Sequence, residues 1–265
     1  MMPTLHLTQI QFTQLQPMIW CATAQVSEYP RLTYRDLWGQ SPRRPIDDAS
    51  YSYTDECYKC NWQYHLSSDD LSTRDIARAQ RQRQRQGVRL LLQQLLNKLA
   101  LSDTLNESDF PYRLIKGGHY VCFSHTGGKS KSKLNKNDNQ VINTLLSSTV
   151  AVVISLHRPI GIDVELNNVA WHVAQRFYSD NEIAILHSLP TTQRDTIAKL
   201  LWQIKESFIK IHQYKLAQGL GIDYSSLIDD LIDASREPSA LTIITDHKSP
   251  YQIAILSMQQ TVVVF

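Results

Sequence analysis

The stretch Thr149-Val-Ala-Val-Val-Ile-Ser-Leu156, followed by His157-Arg-Pro-Ile160 and Gly161-Ile-Asp-Val-Glu165, carries the reading of the fold. Its first part is β-branched and apolar, as a buried strand requires, and the proline-containing turn leads into a second short strand. The pattern predicts a hairpin. Residues two apart in a strand share a face, so Asp163 and Glu165 point together while Ile162 and Val164 point into the core. Two carboxylates side by side repel, and one pKa rises unless a cation compensates; a hard divalent ion such as magnesium suits such oxygen ligands. Standing alone, the pentapeptide reads equally well as the solvated edge of a strand.

Downstream, Ser179-Asp180 are caps for a helix over about 179–188, and a longer helix is predicted from Thr191 to Lys215, ending near Gly219 and Gly221. On it Trp202, Glu206 and Lys210 lie at i, i+4 and i+8 along one stripe, while Leu201, Ile204, Phe208 and Ile211 supply the apolar one. A carboxylate and an ammonium are thus presented in line. An ordinary exposed Glu–Lys pair has the same spacing and is worth a few tenths of a kcal/mol; the tryptophan on that stripe weighs against a purely solvated face. Strands are predicted at Ala240–Thr245, Gln252–Met258 and Thr261–Phe265.

Upstream, His119–Thr126 reads as a strand running into Gly127-Gly128, with Tyr120, Cys122 and Ser124 on one side and Val121, Phe123 and His125 on the other. Lys129 to Asn139 carries four lysines in eight residues and reads as an exposed loop. Asp69 to Leu101 reads as one long helix opened by a Ser72/Asp75 capping box, on which Arg81 and Arg85 continue into Val88, Leu92, Leu95 and Leu99 along one face. That face meets protein at one end and something anionic at the other. Strands and helices together give an α+β class.

The chain has 265 residues, of which 42% are hydrophobic, enough for a sizeable core without covalent staples. With 27 basic against 25 acidic residues the net charge is only +2, so no strong polyelectrolyte field surrounds it. Four scattered cysteines make no disulfide framework and fit a reducing compartment; Cys57 and Cys60 with His65 have half the spacing of a zinc site, but no second pair follows. Met1–Pro17 lacks the pattern of a signal peptide, and Val150–Leu156 is too short to span a bilayer, so a soluble, cytoplasmic protein is expected.

Gly161-Ile-Asp-Val-Glu165, followed about forty residues later by Trp202-Gln-Ile-Lys-Glu-Ser-Phe-Ile-Lys210, resembles the paired signatures of the phosphopantetheinyl transferase superfamily, Sfp type. Phe123-Ser-His-Thr-Gly127 is similar to a third motif of that family, usually Ser-His-Ser, with Thr126 keeping the hydroxyl. The interval from this motif to Asp163 is longer here, as a loop inserted over 129–148 would make it. The motifs cover roughly residues 70 to 215.

The resemblance implies a holo-[acyl-carrier-protein] synthase activity: transfer of 4′-phosphopantetheine from coenzyme A to a serine of an acyl or peptidyl carrier protein, with release of 3′,5′-ADP. It implies that Asp163, Glu165 and Glu206 hold Mg²⁺, with Mn²⁺ as a substitute, and that the metal binds the pyrophosphate. Glu206 or a metal-bound water is then the base. Lys210 neutralises the leaving 3′,5′-ADP and Lys205 lies nearer the phosphates, two roles that could be exchanged. Ser124 and His125 bind nucleotide phosphate, and Arg81 and Arg85 the 3′-phosphate, with Arg78, Arg89 and Arg113 as further candidates. The implied architecture is an α+β pseudodimer of two similar halves, 1–148 and 149–265, with the active site in the cleft between them, acting as a monomer.

Two rivals follow from the residues. Gln80-Arg-Gln-Arg-Gln-Arg-Gln86 is a basic run of the kind nucleic-acid binders use, but the low net charge and the missing binding motif weigh against that, so no nucleic-acid partner is expected. Another magnesium-dependent phosphotransferase would share the carboxylates, yet no phosphate-cradling Gly-x4-Gly-Lys-Ser/Thr loop is present.

Overall fold

Gln and Thr alternate with Leu, Ile and Phe along Leu5–Gln16, a two-residue period that makes a half-buried strand, β1, and the turn at Pro17-Met18 returns the chain as β2 (Ile19–Glu28). The structure, a computed structural model, describes residues 5–28, 73–127, 148–236, 239–246 and 248–265. After β2 come α1 (Thr73–Lys98), β3 (Leu105–Asn106), β4 (Tyr112–Leu114), β5 (Tyr120–Gly127) and β6 (Ser148–Ser155). The remainder is β7 (Gly161–Val164), α2 (Trp171–Phe177), α3 (Asp180–Ser188), α4 (Thr191–His212), α5 (Leu216–Leu220), α6 (Ile228–Arg236), β8 (Thr242–Thr245), β9 (Gln252–Leu256) and β10 (Thr261–Val264). Two antiparallel sheets result, one ordered β1-β2-β6-β5-β4-β3 and the other β7-β10-β9-β8.

The elements stack in four layers. Val88, Leu91, Leu92 and Leu95 of α1 pack on one face of the first sheet, against Ala22, Val26, Val121, Val150 and Val152. Gly87 allows the approach: a Cβ there would stand 3.1 Å from the Val26 side chain. The opposite face, with Cys21, Cys122, Ala151 and Val153, meets Ile162, Val164, Ala254 and Val263 of the second sheet. Val262 and Val264 face the other way, onto Leu201, Ile204 and Phe208 of α4 and Leu231 of α6. Burying each such side chain contributes roughly 1.5–3 kcal/mol, so the central α4 is held by packing more than by helix propensity.

The α+β class and most of the elements stand as expected. One expectation is corrected: β6 and β7 do not form a hairpin. β6 pairs with β2 and β5, whereas β7 pairs with β10, Val262 opposite Asp163, so residues 156–160 carry the chain from one sheet to the other. The apolar residues of β6 need partners on both sides, and a solvent-edged hairpin would leave one side open. The long C-terminal helix also stops earlier than expected, at His212, where Gln213 turns left-handed with φ 58° and no glycine is needed. Ser179 caps α3 as expected, in a capping box with Glu182. The expected start of α1 at Asp69 and its Ser72 cap, the cysteines at 57 and 60 and the lysine-rich loop lie outside the described residues. Among the described residues no helix is long and apolar enough to cross a membrane.

Candidate active site

The strand β7 brings Asp163 to the junction of both sheets and α4. Its first residue has to be glycine, because a Cβ on Gly161 would lie 2.1 Å from the backbone oxygen of Ser207. Backbone therefore touches backbone, and Glu206, the neighbour of Ser207, comes down beside the strand. Trp202, Glu206 and Lys210 do form one stripe: all three line a pocket of about 630 Å³ together with Asp163, Val164 and Glu165. Across from them stand Ser124 and His125 of β5 and Arg85 and Arg89 of α1, while Val88, Tyr112 and Phe123 provide an apolar wall.

The polar contacts are specific. Lys210 Nζ donates to Asp163 Oδ1 at 3.0 Å and to the Ile162 carbonyl at 2.7 Å. Ser124 Oγ donates to Asp163 Oδ1 at 2.9 Å and accepts from the Val164 N–H at 3.2 Å. Thr126, two residues along β5, donates to Glu165 Oε1 at 3.1 Å, and the Asn167 N–H adds a bond at 2.9 Å to the same oxygen. Two hydroxyls at i and i+2 thus grip two carboxylates at i and i+2. The Glu206 carboxylate receives no such bond from the described residues. Burial raises its pKa, the Lys210 ammonium opposes the rise, and Asp163 and Glu165 add to it. For Lys210 burial disfavours the charge, but Asp163, Cys122 and Glu206 together outweigh it and hold the ammonium above its ordinary range.

Sequence expectations about these side chains fare unequally. Asp163, Glu165, Glu206, Lys210, Ser124, His125 and Arg85 meet at one pocket. Arg81 lines an adjoining hollow of about 510 Å³ with Arg78, Arg85 and Arg89; Arg81 and Arg85 are exposed there, and Arg83 is the buried arginine of α1. Arg89 is held by Glu107 through two bonds of 2.6 Å. Arg113 instead lies over the Tyr120 ring. Lys205 has to be corrected: it is nowhere near the pocket. It is 0% exposed, paired with the equally buried Glu182 at 2.9 Å, and donates to the carbonyls of Leu220 and Ile222. A helix advances about 100° per residue, so the neighbour of Glu206 faces the core. Reasoning from sequence missed the wall formed by Tyr112 and Phe123 and the grip of Thr126 on Glu165, the latter legible from strand alternation.

As placed, no three acidic, histidine or cysteine side chains among the described residues stand close enough to share one metal ion. The donor set is nevertheless that of a hard cation: three carboxylates around one pocket, one of them without a hydrogen-bond donor among the described residues.

Fold and pocket together define an α+β protein with a mixed site, acidic on one wall and cationic on the other, suited to an anion that travels with a hard cation. Residues 159–264 match the model of the 4′-phosphopantetheinyl transferase superfamily. The 4′-phosphopantetheinyl transferase psf-1 of Bacillus pumilus is 31% identical over 101 residues, a match spanning 38% of this chain and 40% of that protein. The matched region holds Asp163, Glu165, Glu206 and Lys210; Ser124, His125 and the arginines of α1 lie outside it.

Proposed function

We propose that the protein transfers 4′-phosphopantetheine from coenzyme A to a serine of an acyl or peptidyl carrier protein and releases 3′,5′-ADP. The observation that carries this reading is the convergence on one pocket of Asp163 from β7, Glu165 just after it, Glu206 and Lys210 from α4, and Arg85 and Arg89 of α1. Asp163, Glu165 and Glu206 would hold Mg²⁺ or Mn²⁺, which supplies charge neutralisation to the pyrophosphate. The pocket then forms the cleft between two sheet-and-helix halves, and a monomer suffices.

The serine oxygen of the carrier bonds to the phosphorus on the pantetheine side, and the bond from that phosphorus to the bridging oxygen breaks. The serine proton passes to Glu206, whose raised pKa makes it a stronger base than an exposed carboxylate. Lys210 stands where a cation stabilises the charge gathering on the departing phosphate. Ser124 and Thr126 keep Asp163 and Glu165 in place, which replaces the direct phosphate contact expected of Ser124; His125 at the rim remains free to meet a phosphate. Arg81 and Arg85 take the 3′-phosphate.

Incubation with coenzyme A, Mg²⁺ and a panel of apo-carrier proteins, read by mass spectrometry, tests the activity. One phosphopantetheine added to a carrier serine is expected, and no addition to any carrier by folded protein contradicts it. In the same assay Arg81→Ala should raise KM for coenzyme A about tenfold or more while leaving that for 3′-dephospho-coenzyme A within about twofold. Equal losses for both would remove the 3′-phosphate role.

A further inference from the structure

We propose that Gln203 is a positioning residue that sets the spacing between Glu206 and the Asp163–Glu165 pair, and through it the affinity of the pocket for a divalent cation. The proposal rests on the functional reading above. Gln203 lies on α4 three residues before Glu206 and is 1% exposed. Its Nε2 donates to the Asp163 carbonyl at 3.3 Å and to the Gln260 carbonyl at 2.8 Å. That same Gln260 carbonyl accepts the Glu165 N–H at 3.1 Å. One turn earlier on α4 the buried Lys199 donates to the side-chain oxygen of Gln260, which sits left-handed at φ 51° just before β10. One side-chain amide therefore ties the helix carrying Glu206 to the main chain of Asp163 directly and to that of Glu165 through a shared carbonyl.

This tie does what packing does not. The last ladder pair of β7 is Val164 with Thr261, so Glu165 lies beyond the paired strand and its N–H is held by Gln260. The spacing of Asp163 to Glu165 is set within the strand and by the bond of the Glu165 N–H to the Gln260 carbonyl, and survives a sliding of α4. The spacing of Glu206 to both does not. The contact of Gly161 with Ser207 and the leucines and isoleucines of α4 favour closeness without fixing an axial position, because burial is non-directional. Hydrogen bonds to two carbonyls fix it. Outer partners of this kind typically govern metal affinity by about 10–100-fold.

The test compares Mn²⁺ binding, followed by the loss of free-ion electron paramagnetic resonance signal, in the wild-type chain, Gln203→Met, Gln203→Leu and Leu231→Ala. Leu231 is a core residue of α6 away from the pocket and serves as the control for general destabilisation. Gln203→Met should weaken Mn²⁺ about tenfold or more with little change in Tm, and saturating Mn²⁺ should restore most of the transfer rate. Leu231→Ala should lower Tm and leave Mn²⁺ affinity within about twofold. Wild-type affinity in both Gln203 variants overturns the proposal, as does an equal loss in Leu231→Ala or the failure of both Gln203 variants to fold, which would make the residue structural. Absence of Mn²⁺ binding in the wild-type chain is a separate outcome that overturns the functional reading itself and this inference with it.

Discussion

Glu206→Gln is expected to reduce phosphopantetheine transfer by about 10³-fold or more while leaving the fold at least as stable as before. The amide has the size of the carboxyl but neither takes a proton nor serves as an anionic ligand. Stability moves the other way for an electrostatic reason. Burial, reinforced by Asp163 and Glu165 and opposed by Lys210, holds the Glu206 carboxyl above its usual 4.5. A carboxyl of raised pKa binds protons more tightly folded than unfolded. Its ionisation therefore costs stability as pH rises from about 4.5 through the folded value, and the amide removes that cost. Urea denaturation at neutral pH without metal should place the variant at or above wild type, and turnover near the wild-type rate would remove Glu206 from the chemistry.

Lys205→Met should have the largest effect on stability, a loss of about 3–5 kcal/mol. Burial pulls the Lys205 ammonium below its ordinary range and the Glu182 carboxylate resists this. The Lys205 ammonium also stands over the rings of Tyr178 and Tyr224, and Glu182 accepts the N–H groups of Ser179 and Tyr224. Removing the cation leaves a carboxylate in the core with two neutral donors, too few to replace the water it gave up. Chemical denaturation measures the loss. At a temperature where the variant is folded, its KM for coenzyme A should match wild type. A loss under about 1 kcal/mol together with a raised KM would return Lys205 to the phosphates.

These two neighbours on one helix illustrate what the residue pattern reveals. The stripe Trp202, Glu206, Lys210 was legible because 3.6-residue periodicity is local, and so was the face shared by Asp163 and Glu165. Lys205 was legible too, since it falls four residues after Leu201 and three before Phe208, within the apolar stripe. Its family motif drew it wrongly toward the substrate. Glu182 was not foreseeable as its partner, because a capping-box residue of α3 and a lysine of α4 meet only through tertiary packing. The same limit explains the misplaced hairpin: β6 and β7 each read correctly as strands, but their partners β2, β5 and β10 are distant in sequence. β1 carries a clear alternation of apolar and polar residues, whereas β2, buried on both faces, does not. Gln203 gave no signal at all; an amide on a buried helix face reveals its purpose only when the carbonyls it meets are in view.

A crystal structure of the protein soaked with coenzyme A and Mn²⁺, phased at the manganese edge, tests most directly whether the acidic wall is a metal site. The account predicts one anomalous peak in the pocket, bound at about 2.0–2.2 Å by carboxylate oxygens of Asp163, Glu165 and Glu206 and by the pyrophosphate. A manganese ion elsewhere, or coenzyme A bound there while Glu206 stays out of reach of the ion held by the strand, would contradict it.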